Sequence, residues 1–308
     1  MLPATLTRYA WLSIAAALAT IVLKGLAWRL TGSVGLLSDA LESVVNLAGA
    51  MMALAMLSVA ARPADHDHAH GHGKAEYFSS AFEGFLIIIA AVSIGYAAVE
   101  RLIGPRPIEA VGIGLGVSML ASVINLVTAR ILMAVGRKYN SITLEADARH
   151  LLTDVWTSAG VIAGVGLVWL TGWLWLDPVI ALMVALNIVW TGWQLMHRSA
   201  SGLMDASLPG EALGAIEAVL DDYRMQGLDF HAVRTRQAGS RAFVTLHVLT
   251  PGAWTVQVGH DWCERIEADI RRVVPQAHVT THLEPREDPV SLVDQELDRS
   301  DDPYEMPR

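Results

Sequence analysis

Two pairs of polar side chains, each four residues apart, stand inside apolar stretches of this chain: Glu42 with Asn46 in "SDALESVVNLAG", and His150 with Asp154 in "EADARHLLTDVWTS". Residues four apart share one face of a helix, so each pair projects together. An imidazole nitrogen, two carboxylates and an amide oxygen, brought by two helices, form a donor set for one divalent cation. Such a set suits Zn²⁺ and tolerates Fe²⁺, Co²⁺ or Mn²⁺. An ionisable group at membrane depth costs about 3 kcal/mol and is usually retained for function. Polar residues in spans also serve as hydrogen-bonding glue between helices, and for Asn46 taken alone that is the better reading. Two such pairs with three ionisable members favour a cation site. Asp39 and Asp147, one turn toward each helix start, read as N-terminal or interhelical hydrogen-bonding groups. Lys24 reads as snorkelling or paired with a carboxylate.

Two further groups carry metal-ligand types. The loop "DHDHAHGHGK" holds Asp65, His66, Asp67, His68, His70 and His72 at close spacing, and a solvated polar loop accounts for it as well as a metal site does. Toward the C-terminus His231, His247, His260 and His282, with Glu284, are spread over separate elements. They converge only if the fold brings them together.

The elements that must position these residues are helical spans. Of 308 residues 53% are hydrophobic and 17% charged, and the apolar residues crowd into the first two thirds, which places the chain among membrane proteins with a soluble tail. Six segments reach the roughly 20 apolar residues that a span needs: 10–31, 35–59, 79–101, 109–133, 147–171 and 175–196. Arg8, Arg62, Lys74, Arg137, Lys138 and Arg198 fall on the side shared by both termini, against Arg29, Arg101 and Arg106 on the other. Basic loops mark the cytoplasm, so both ends are expected there. Lys24 and Arg29, without a small-residue cleavage site, make the first segment a span rather than a leader.

Beyond "SASGLMDASLPGEA" the texture changes to that of a small soluble α+β domain of order αββαβ, ferredoxin-like or metallochaperone-like. The expected organisation is a six-span membrane domain at 1–204, a cytoplasmic domain at 205–286 and an acidic disordered tail at 287–308. One cysteine, Cys263, excludes an internal disulfide and fits a reducing compartment. The net charge of -9 without a basic stripe argues against a nucleic-acid partner.

These residues resemble the cation diffusion facilitators, most closely the bacterial zinc and ferrous-iron efflux branch. The likeness runs through "TGSVGLLSDALES", "HGHGKAEYFSS", "EADARHLLTDVWTS", "GLMDASLP" and "VRTRQAGSRAFVTLHV". It implies a homodimeric exporter in the inner membrane, with transport in the first domain and metal binding and dimerisation in the second. The implied transport site, between the second and fifth helices, falls on Glu42, Asn46, His150 and Asp154. The family's loop site falls on Asp65, His68 and His72. Its cytoplasmic binuclear site falls on His231, His247, His260, His282 and Glu284, and a charge lock on Lys74 with Asp205. The second span departs from the pattern, where the zinc branch carries two Asp, or His and Asp. Asn46 removes one negative charge; Zn²⁺ stays the first expectation, with Fe²⁺, Cd²⁺, Co²⁺ and Mn²⁺ open. Protons are the expected counter-ion, since metal ligands must be deprotonated to bind. A metal-sensing or scaffold relative without transport is one alternative. A membrane metalloenzyme is another, disfavoured because no HxxHH or HExxH motif occurs.

Overall fold

The computed structural model describes residues 2–31, 34–104, 111–173 and 175–293. It divides into two compact units, Met1–Leu203 and Met204–Arg308. The first holds six long helices: α1 Leu2–Thr31, α2 Val34–Ala60, α3 Ala75–Ile103, α4 Val111–Tyr139, α5 Ile142–Thr171 and α6 Leu176–Leu203. Among the described residues Leu6–Leu26, Ala75–Ile103, Met119–Tyr139 and Pro178–Leu203 are long and apolar enough to cross a membrane, and Asn46–Ala60 is a shorter apolar run. Trp173 and Trp175 stack at 5.7 Å, exposed, in the α5–α6 turn. Indole rings favour that setting at headgroup level.

Several helices run past the apolar segments that announced them. α4 continues to Tyr139 and α6 to Leu203, and α5 starts at Ile142 with a first turn that is buried, Thr143 and Glu145 included. Hydropathy reads contact with lipid, whereas a helix ends where its backbone hydrogen bonds end.

Two packed clusters build this unit, and α5 belongs to both. Leu144, Ala148 and Leu151 of α5 pack with Leu6 and Ala10 of α1, Leu57 of α2, and Ala129 and Leu132 of α4. On its other side Ala146 meets Ile87 and Ala91 of α3 and Ile188 and Leu195 of α6. α3 and α6 approach through glycines: a Cβ on Gly84 would lie 3.0 Å from the Gly192 carbonyl oxygen, and one on Gly192 would lie 2.9 Å from that of Gly84. Small residues at such crossings let backbones meet where lipid supplies no hydrophobic drive between helices.

The second unit runs α7 Gly210–Arg224, β1 Asp229–Ala238, β2 Arg241–Thr250, α8 Val256–Val273, β3 Ala277–Pro285 and α9 Pro289–Val293. The sheet order is β1-β2-β3, with β1 antiparallel and β3 parallel to β2. Strand residues alternate faces. Ala242, Val244, Leu246 and Val248 therefore turn one way, onto Ile216 and Leu220 of α7 and Cys263, Ile266 and Ile270 of α8. Burial of each large side chain contributes about 2 kcal/mol. The opposite sheet face carries Phe243 and His247. Of the acidic tail, 289–293 forms the short α9 and 294–308 lie outside the described residues.

Candidate metal centres

Asn46 of α2 joins the two sequence-predicted members of α5. Its Oδ1 faces His150 Nε2 at 2.5 Å, and its amide nitrogen donates to Asp154 Oδ2. All three side chains are buried. The side chain of the remaining predicted ligand, Glu42, lies outside the described residues, as does that of Asp39. Asp147, read as a hydrogen-bonding group, accepts a bond from Ser13 Oγ of α1 at 3.0 Å. Lys24 is buried.

Two residues enter this cluster that spacing alone did not indicate. Asn125 of α4 donates through Nδ2 to Asp154 Oδ2 at 3.1 Å. Glu83 of α3, 0% exposed, sets Oε2 2.8 Å from His150 Nδ1. Neither Glu83 nor Asn125 has a second residue of metal-ligand type four positions away in the sequence. The signal that would have found Glu83 is its charge at membrane depth.

Local contacts explain how Glu83 arrives there. Glu76 anchors the start of α3 to the start of α5, accepting from Ser141 Oγ through its carboxylate and from Thr143 Oγ1 through its backbone oxygen, the latter at 3.1 Å. Seven residues make about two helical turns, so Glu83 and His150 repeat the Glu76 and Thr143 pairing two turns along. On α2, Gly49 stands one turn from Asn46, and a Cβ there would lie 2.7 and 2.8 Å from the two Glu83 carboxylate oxygens. The glycine leaves the room that the carboxylate fills. Glu83, Asp154 and Asp147 all act electrostatically on His150.

The cytoplasmic histidines converge through strand register. His231 of β1 pairs with His247 of β2, and His247 pairs with His282 of β3, a row of three across the sheet. Glu284, two residues along β3, points to the same face. His231 Nε2 lies 3.0 Å from Glu284 Oε2, His247 Nδ1 3.1 Å from Glu284 Oε1, and His231 Nε2 3.1 Å from His247 Nδ1. Four ligands around Zn²⁺ at bond lengths near 2.0 Å sit about 3.3 Å apart, and the separations among these three residues are close to that spacing. A β-bulge follows His231, with Ala232 at φ 48°. Bulges recur beside functional sites because they re-aim side chains. His282 Nε2 is 3.4 Å from Glu284 Oε1, on a ring 66% exposed. His260, at the start of α8, is exposed and does not join the described cluster within one chain.

In the α2–α3 loop Asp65 Oδ1 lies 3.3 Å from His68 Nδ1, and Asp65 Oδ2 lies 3.4 Å from His72 Nε2. The backbone N–H of His68 donates to Asp65 Oδ1 at 2.7 Å and holds that carboxyl below the usual carboxylate range. An ionised carboxylate with two imidazoles is again a zinc-type donor set. Lys74 donates to the Leu203 carbonyl at 3.1 Å, and Asp205 pairs with Arg236 at 3.3 Å.

Residues 10–204 match the family model described as the cation efflux transmembrane domain, and residues 208–286 match the one described as the cation efflux protein cytoplasmic domain. An uncharacterised transporter of Synechocystis is 55% identical over 283 residues, 92% of this chain and 91% of that protein. The cation-efflux pump FieF of Salmonella arizonae is 29% identical over 292 residues, 94% and 95% of the two chains. The FieF pump of Klebsiella pneumoniae is 28% identical over 280 residues, 91% and 92% of the two chains.

Proposed function

This chain belongs to the cation efflux family of membrane transporters, and we propose that it exports a divalent metal cation, Zn²⁺ foremost, from the cytoplasm across the inner membrane in exchange for protons. It works as a homodimer with both termini cytoplasmic. The observation that carries this reading is the buried junction of Asn46, His150 and Asp154, contributed by two helices of the transmembrane unit. With Glu42, these residues hold the transported ion.

Capture of the ion exchanges contacts. Asn46 Oδ1, His150 Nε2 and an Asp154 oxygen turn from one another onto the cation, which replaces the proton or amide hydrogen each pair shared. Ligands bind only when deprotonated, so protons arriving from the outer side displace the ion and return with the site. Rocking of helices around a fixed midplane site gives each face its turn. One proton per M²⁺ moves one net charge outward, at about 2.3 kcal/mol per 100 mV, and two make the cycle electroneutral.

The second unit and the α2–α3 loop serve as resident metal sites. His231, His247 and Glu284 would hold one ion, with His282 and His260 exposed toward a second ion or a second copy of the chain. Asp65, His68 and His72 would hold another. In each, zinc supplies a structural cross-link between segments and no chemistry. Ions bound across a dimer interface favour one arrangement of the two copies and so report cytoplasmic metal.

The test is zinc flux in proteoliposomes. Full-length protein in vesicles with an acidic lumen accumulates Zn²⁺, and the uptake collapses when the proton gradient is dissipated. Asp154→Ala reduces uptake to the level of empty vesicles while the protein stays folded. Uptake at the normal rate in that variant would remove Asp154 from the site.

A further inference from the structure

We infer that Glu83 is a further anionic member of the transport site, a positioning residue on α3 that holds His150 with Nε2 toward the ion and supplies the negative charge that Asn46 of α2 does not. The inference rests on the transport site proposed above.

Three observations carry it. Glu83 is fully buried, and its Oε2 sits 2.8 Å from His150 Nδ1. The other nitrogen of that ring, Nε2, is the one that faces Asn46. A histidine ligand ordinarily donates its second ring N–H to a carboxylate, which fixes the tautomer and strengthens the ligand. Second, the contact is accommodated from α2: Gly49 leaves space for the carboxylate one turn from Asn46. α2 thus carries a neutral amide where the ion is held and a glycine where a third helix delivers a charge. Third, beyond this close approach of His150 Nδ1, the Glu83 oxygens have no hydrogen-bond partner among the described residues. A bare carboxylate at that depth is costly unless a cation shares its surroundings. A structural carboxylate would be expected to carry hydrogen-bond donors, as Glu76 does with Ser141.

The charge therefore shifts helix rather than disappearing. Where two helices with carboxylates at both α2 positions would neutralise the ion directly, this chain moves one negative charge to α3 and lets it act through the imidazole.

The test uses full-length protein in proteoliposomes with Zn²⁺ alone as the transported ion. Glu83→Gln keeps an acceptor for Nδ1–H and removes only the charge, and it raises KM for Zn²⁺ about tenfold or more with a smaller change in maximal rate. Adding Asn46→Asp to that variant returns the charge to α2 and brings KM back to within about threefold of the unaltered protein, a margin of roughly 0.65 kcal/mol. A residue needed only for packing gives no such rescue. Gly49→Ala, which displaces the carboxylate from the other side, raises KM in the same direction and decides the matter should Glu83→Gln not fold. An unaltered KM in Glu83→Gln or in Gly49→Ala, or a raised KM that Asn46→Asp leaves raised, overturns the assignment. His150→Ala separates this from the underlying reading: normal transport there removes the transport site itself, whereas an inactive His150→Ala beside normal Glu83 variants removes only the role of Glu83.

Discussion

The two histidine and carboxylate clusters carry the same ligand types on opposite mechanical principles. On the sheet, His231, His247 and Glu284 are held by backbone pairing at ligand-like separations of 3.0 and 3.1 Å. Moving any one of them breaks ladder hydrogen bonds. Between the helices, Asn46, His150 and Asp154 bond to one another, and the elements carrying them are separate rods joined by side-chain packing. On the proposed reading the sheet site stores an ion and the site between rods releases one when the rods shift, so that position in the fold, more than ligand identity, would separate a resident metal from a cargo.

The largest effect that would break this contrast is on flux. His150→Ala should lower zinc transport by about 100-fold or more, since a lost ligand with its buried partners left unpaired costs about 3 kcal/mol. His247→Ala should leave at least a third of the maximal rate, because it removes a resident ion and not the carrier. Equal losses in the two variants, measured as initial rates in proteoliposomes, would merge the two clusters into one function.

Next is binding at the sheet. Glu284→Gln removes the single carboxylate that touches both His231 and His247 and should weaken zinc at that site by about 10- to 100-fold. Isothermal titration of the full-length protein should show one high-affinity class per chain diminished. Retention of that class would place the resident ion elsewhere.

Both clusters should lose metal in acid, because protonated imidazoles and carboxylates do not bind. The histidine-rich sheet site should release zinc progressively as pH falls, because protons compete with the ion for the same ligand atoms. In the loop the carboxyl of Asp65 is held low by the His68 N–H. It stays ionised further into acid than an ordinary carboxylate and remains available as a ligand there. Zinc retention across a pH series checks this, and retention that does not fall with pH would refute ligands in competition with protons.

How far the sequence foretold this arrangement depends on the residue. Six helices were legible as apolar runs, and αββαβ as a change of period, because each element buries a patterned face. Their ends were less so: α5 begins at Ile142, five residues before its apolar span was expected, because Ser141 and Thr143 hold its start to Glu76 of α3. Asn46, His150 and Asp154 were visible because i, i+4 spacing is a local property. Glu83 and Asn125 were not, since their partners lie on other helices and nothing in the surrounding sequence states which helix is adjacent. The histidine row could not be read from spacing for the same reason, and only the family resemblance pointed to it: positions 231, 247 and 282 become neighbours once the strands take their register.

The smallest effect sharpens the contrast from inside the helical cluster. Asn125 reaches Asp154 from α4 at 3.1 Å, and Asn46 donates to the same oxygen. Removing one of two amide donors leaves the carboxylate partnered, so the cost is bounded by one hydrogen bond to a charged group, about 1.5 to 3 kcal/mol, less what the remaining donor recovers. Asn125→Ala should raise KM for Zn²⁺ by no more than about tenfold and leave the maximal rate near normal. A sheet-type site, fixed by backbone, would scarcely register the loss of so peripheral a donor. A helical site held only by side chains should, and the measured KM places the cluster on one side or the other.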